Sequence, residues 1–231
     1  MHTYKTLKEI YDYSIREFAD RPSFGMFERE QMTYAELDER VRSVQAMLLS
    51  AGLNPGDKVA LLSSNMPNWG VSYFAVTTMG MVIVPILPDF SGEELDKVIA
   101  HSEAKALIIS DKQYTKLSKQ TIEAMNIVVR IKNLSVLSQR VEEQGSQRTP
   151  ESDELAAIIY TSGTTSQPKG VMLTHRAICK QIELIYKLFP VVKEDVFLSV
   201  LPLAHTYECS IGMIYPFTYG SSVTYLDRPP T

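Results

Sequence analysis

Short, nearly continuous apolar runs alternate along this chain with segments of helical spacing, and that alternation constrains the fold more than any other feature. The runs Lys58–Ser63, Met81–Leu87, Ala106–Ser110, Ile127–Lys132, Leu155–Thr161, Val171–Thr174, Val196–Leu201 and Ser222–Leu226 read as strands. Between them, Thr33–Ser50, Pro67–Met79, Gly92–His101 and His175–Phe189 have helical spacing. Strands that are apolar throughout need both faces covered, so the order predicts an α/β fold, a layered, mostly parallel sheet flanked by helices. Thr33 with Glu36 three residues on is a capping-box pattern. Behind it Leu37, Val41, Val44 and Leu48 recur at three and four, as one buried face requires.

At 231 residues the chain is long enough for one large domain or one and a half small ones. Its 45% hydrophobic and 22% charged content belongs to an ordinary globular protein, and a net charge of −4 gives no basic excess for nucleic acid or anionic membrane. Cys179 and Cys209 lack C-x-x-C spacing, and the chain opens on no basic stretch followed by an apolar core, so a cytoplasmic location is expected. His2, His101, His175 and His205 lie too far apart to form a local metal box. The uncharged stretch from Val59 to Pro88 is broken by Ser63, Asn65, Pro67, Gly80 and Pro85, and so reads as strand, helix, strand rather than a membrane span. Gln139–Glu154 is polar and reads as an exposed, poorly ordered connection. No internal repeat or low-complexity tract is present.

The chemistry concentrates in twelve residues, Tyr160-Thr161-Ser162-Gly163-Thr164-Thr165-Ser166-Gln167-Pro168-Lys169-Gly170-Val171. Gly163 and Gly170 allow backbone conformations closed to other residues and close approach of a ligand. Successive free N–H groups in such a turn form an anion-binding concavity. Thr161, Ser162, Thr164 and Thr165 add hydroxyl donors, and Lys169 adds a mobile positive charge. The segment reads as a phosphate-binding loop. It is not a Walker A loop, because Pro168 stands at the second glycine position and Gly170 replaces the hydroxyl after Lys169. The plain alternative is a surface turn between two strands.

The full string resembles the signature loop of the adenylate-forming superfamily, which contains acyl-CoA synthetases, luciferases and peptide-synthetase adenylation domains. Ser166 stands where that family has glycine, and a positive φ there would strain it by roughly 1–2 kcal/mol. Thr33-Tyr34-Ala35-Glu36-Leu37, the turn Leu53–Ala60, the Asn65–Pro85 region and Leu201-Pro202-Leu203-Ala204-His205-Thr206-Tyr207-Glu208 resemble further family segments in the same order. The last of these is similar to bacterial long-chain fatty acyl-CoA synthetases. The resemblance implies ATP-dependent activation of a fatty acid to an acyl-adenylate and then to acyl-CoA, with ATP, Mg²⁺ and coenzyme A as cofactors. It implies phosphate binding by Thr161, Ser162, Gly163, Thr164, Thr165, Lys169 and Gly170, a catalytic part for Lys169, and Mg²⁺ contact at Thr161. His205, Thr206 and Cys209 would meet the acid. Ile211, Met213, Ile214 and Phe217 follow at helical spacing and read either as an apolar tunnel or as plain core.

Later family motifs are missing: Tyr219-Gly220 does not continue into the expected segment, and no ribose-binding Asp or late lysine follows. Residues 1–231 are therefore expected to be a partial N-terminal AMP-binding domain, inactive alone, with the C-terminal lid as its missing partner. Fatty acid, ATP and CoA are the other partners, with no nucleic acid and no integral membrane segment, which leaves room for peripheral membrane contact. The alternatives are a piece of an aryl- or short-chain acid ligase or luciferase-like enzyme, or a noncatalytic nucleotide-binding module.

Overall fold

The structure, a computed structural model, describes residues 3–161 and 168–226, Thr161 by its backbone alone. Seven strands form the larger sheet: β3 (Lys58–Leu62), β4 (Val82–Pro85), β5 (Ala104–Ile109), β6 (Ile127–Arg130), β7 (Ser135–Gln139), β8 (Leu155–Thr161) and β9 (Lys169–Thr174). Their order is β7-β6-β5-β3-β4-β8-β9. β6, β5, β3, β4 and β8 run parallel, with Val59 opposite Ile83 and Leu61 opposite Ile108. The two edges, β7 and β9, are antiparallel to their neighbours.

Alternation along each parallel strand sorts the core into two layers. Val59, Leu61, Ile83, Ala106, Ile108 and Ile159 face α3 (Pro67–Thr77), whose Val71, Phe74 and Ala75 lie in the same cluster. Ala60, Leu62, Val84, Leu107, Ile109 and Tyr160 face α4 (Gly92–Ser102) through Leu95, Val98 and Ile99. α3 is buried nearly all round, which matches its lack of charge. α4 begins at a Ser91–Glu94 capping box and presents one apolar stripe.

A smaller sheet, ordered β10-β11-β1-β2, joins β1 (Pro22–Met26), β2 (Gln31–Thr33), β10 (Val196–Ser199) and β11 (Ser222–Tyr225). β1 runs parallel to β11, with Phe24 opposite Val223, and antiparallel to β2. Around it lie α1 (Leu7–Glu17), α2 (Tyr34–Ser50), α7 (His175–Leu188), a π-helix (Glu208–Ile214) and the short α8 (Tyr215–Thr218). Thr33 and Glu36 make the reciprocal cap of α2. Tyr34 donates its hydroxyl to the carbonyls of Phe217 (3.0 Å) and Ser221 (2.9 Å).

The expected α/β layering is present, with boundaries within a few residues of the sequence reading. Of the two readings left open for Met213, Ile214 and Phe217, core is the one observed: Phe217 packs its ring 4.4 Å from Phe74 and 4.9 Å from Tyr34. One expectation changes. The connection after β7 is tied down rather than loose. Gly145 N–H donates to Leu49 O (2.7 Å), Ser146 N–H to Leu53 O (3.2 Å) and Arg148 N–H to Met79 O (3.3 Å). Gly145 sits so close that a Cβ would lie 2.0 Å from the Leu53 carbonyl oxygen.

Candidate functional site

β8 runs parallel to β4, and β4 to β3, so these strands end on one side of the sheet. The chain moves from β3 to β4 on one side and then to β5 on the other, a reversal of strand order. Ligands of open parallel sheets bind outside the carboxyl ends of strands at such a reversal. One segment singled out by the sequence leaves the sheet at this end, and a second, which follows β10 of the smaller sheet, is tied to the same end.

The first is the hydroxyl-rich loop. Ser162, Gly163, Thr164, Thr165 and Ser166 lie outside the described residues. On either side of them the chain forms a hairpin, with Thr161 opposite Lys169 and Tyr160 opposite Gly170. A loop that returns as a strand differs in topology from a Walker A loop, which runs from strand into helix. Lys169 is exposed and makes no ion pair among the described residues. Gly170 is required for space rather than for a positive φ, since a Cβ there would stand 2.7 Å from Ile158 Cγ2 and 3.3 Å from Tyr160 Cζ.

The second segment, Ser199–Cys209, is held to the end of β3 by Asn65. Its amide nitrogen donates to Ser199 Oγ (3.1 Å) and Leu201 O (2.7 Å), and its Oδ1 accepts from Leu203 N–H (2.8 Å). His205 follows, exposed, with Thr206 half-buried beside it. Cys209 is buried against the Tyr73 hydroxyl, and burial pushes its thiol up to about 12, so it stays neutral. Glu208 is buried too. Burial raises its carboxyl above the usual range against hydrogen bonds from Ser199 and Val200, and Oε1 finds no hydrogen-bond partner among the described residues. That carboxyl lies against Gly212, where a Cβ would come within 2.6 Å of Oε1.

Both segments thus stand at the same end of the sheet, one at β3 and the other two strands away at β8. Asn65 escaped the sequence reading because nothing local marks it: its partners are 134 or more residues away. Among the described residues no three His, Cys, Asp or Glu side chains gather to hold a metal, and no helix is long and apolar enough to cross a membrane.

Known proteins share this arrangement of chain. The family profile described as AMP-binding enzyme matches residues 11–231. Polyketide synthase PksN of Bacillus subtilis (strain 168) is 28% identical over 219 residues, which cover 94% of this chain and 4% of PksN. A long-chain-fatty-acid–CoA ligase of Salmonella typhimurium is 28% identical over 265 residues, covering 98% of this chain and 47% of the ligase. The fatty acyl-adenylate ligase from L. pneumophila, solved with acyl adenylate and pyrophosphate, has a TM-score of 0.80 at 22% identity, over 96% of this chain and 40% of that one. At that identity the likeness is one of fold. The chain spans less than half the length of each of these relatives.

Proposed function

Because the chain belongs to the AMP-binding enzyme family, we propose that it is part of a ligase that uses ATP to activate a carboxylic acid, a fatty acid, as its adenylate for transfer to coenzyme A. Residues 1–231 would form part of the N-terminal AMP-binding domain, a reading supported by the fraction of each relative that the chain spans. The observation that carries the proposal is the convergence of the β8–β9 hairpin and the Asn65-tethered segment at the carboxyl end of the sheet.

The first half-reaction brings a carboxylate to the α-phosphate of ATP. Two unit charges ~4 Å apart repel by about 4 kcal/mol at an effective dielectric of 20. The hairpin answers that cost with donors. Thr161, Ser162, Gly163, Thr164, Thr165 and Gly170 are assigned to the phosphates, and the unpaired Lys169 ammonium to the charge that develops on them. The acid already lacks its proton, so no general base is needed, and positioning with electrostatics carries the step. A hydroxyl at Thr161 suits Mg²⁺, which takes few protein ligands beside substrate phosphates and, when bound, supplies further positive potential. His205 and Thr206 would meet the acid, with Cys209 behind them.

The fatty-acid reading draws on the Leu201–Glu208 string and on the Salmonella relative. The second reading is another acid class on the same adenylating machinery. Acid-dependent exchange of pyrophosphate into ATP separates the two, run on the protein that carries this chain with long-chain, aryl and amino acids. Lys169→Ala should lower kcat/KM about 10²-fold. Undiminished exchange in that variant would defeat the adenylation reading.

A further inference from the structure

His101 and Tyr160, 59 residues apart in sequence, meet beneath the hairpin. The alternation of β8 turns Ile158 and Tyr160 toward α4, and His101 stands in the last turn of that helix. Its Nδ1 lies 2.8 Å from the Tyr160 hydroxyl, and the rings meet edge to face with centroids 5.7 Å apart. The Tyr160 side chain is only 4% exposed. Its ring covers the backbone of Gly170 on β9, so closely that a Cβ there would stand 3.3 Å from Cζ.

We propose that His101 is a positioning residue for the phosphate-binding hairpin and acts through Tyr160. The inference rests on the phosphate reading of that hairpin. Tyr160 opposes Gly170, and the next pair along is Thr161 opposite Lys169, the two residues from which the loop departs and to which it returns. β9 is an edge strand, paired among the described residues with β8 alone, so its placement depends on what fixes that pairing. A ring tethered by its hydroxyl and seated on Gly170 fixes both strands at once. His101 is itself exposed and the contact part-buried, so removing its side chain exchanges a fixed partner for water and frees the ring to tilt off Gly170. A buried Tyr hydroxyl that finds a partner is ordinary packing. Here the same contact sets the relative positions of the two ends of a ligand loop, and the test must separate those two roles.

Amide hydrogen exchange and MgATP titration on the protein that carries this chain do so, with His101→Ala, His101→Asn, Tyr160→Phe and Lys169→Ala compared. His101→Ala and Tyr160→Phe are expected to speed exchange about tenfold at Tyr160, Thr161, Lys169, Gly170 and Val171, with β3 and β5 unchanged. MgATP affinity should fall several-fold in both, and His101→Asn, whose side-chain amide takes the place of Nδ1, should restore exchange and affinity together. Unchanged hairpin exchange in His101→Ala, or no rescue by His101→Asn, overturns the proposal. If hairpin exchange responds but MgATP binds neither the wild-type protein nor any variant, the clamp survives and the phosphate reading falls. Lys169→Ala should lose affinity with hairpin exchange unaltered, which marks the ligand contact apart from the clamp.

Discussion

His175 is fully buried at the first position of α7, and what it touches fixes its proton. The Leu7 N–H donates to Nδ1 at 3.2 Å, so the neutral ring carries its hydrogen on Nε2, which has no hydrogen-bond partner among the described residues. Burial lowers its pKa to about 4, against a smaller opposing pull from Glu154. Below pH 6.5 the unfolded chain binds a proton at His175 that the folded chain refuses. Stability should therefore fall as pH drops from 6.5 to about 4, by on the order of 3 kcal/mol in all. Urea midpoints across that range should show the slope, and His175→Gln should flatten it. Glu154 acts in a lower window. Paired with Arg148 and accepting from Glu151 N–H, its carboxyl is held at about 2, so its contribution is lost only as pH falls from 4.5 toward 2. Gly170→Ala tests the crowding at the hairpin, where the added methyl meets Ile158 and Tyr160. It should cost about 1–3 kcal/mol by urea denaturation, well beyond an ordinary surface change.

Among the elements, the sequence announced those whose stability is local. The parallel strands are apolar because both their faces are covered, and α2 and α4 carry their caps in the residue order itself. β1, β2 and β7 went unread because they are short or polar and exist through distant partners: Phe24 of β1 finds Val223. The π-helix also defeated a periodicity of 3.6, and of the two readings its spacing allowed, lining or core, Met213, Ile214 and Phe217 are core. The connection before β8 was legible as exposed, but its anchors on Leu49, Leu53 and Met79 leave no mark in composition. Residue types alone marked the hydroxyl-rich loop as a candidate, whereas nothing local marked Asn65 or His101, whose partners lie far along the chain. Asn65→Ala should cost about 1 kcal/mol, mostly from the part-buried Leu203 N–H, since water can replace the amide at the exposed Leu201 carbonyl. On the proposed function it should also raise KM for the acid more than KM for ATP. Thr33→Ala, at the cap of α2, should cost about 1 kcal/mol and leave both KM values alone.

Across the whole molecule, the edge of the small sheet stands out. β10 closes it with Val196 67% and Leu198 54% exposed. An edge strand with apolar side chains is a template for pairing with another chain. The 231-residue protein should therefore self-associate with rising concentration in sedimentation velocity, and Val196→Lys with Leu198→Lys should hold it monomeric. The same sheet has a temporal consequence. Its inner strand β1 lies between β2, which follows it at once, and β11, which comes far later in the chain. A two-stranded ribbon alone is marginal in water. During translation the ring of Phe24 can gain α3 early but must wait for Phe217 and Tyr225, so ribosome-bound chains that stop short of β11 should be more readily captured by chaperones than chains that include it.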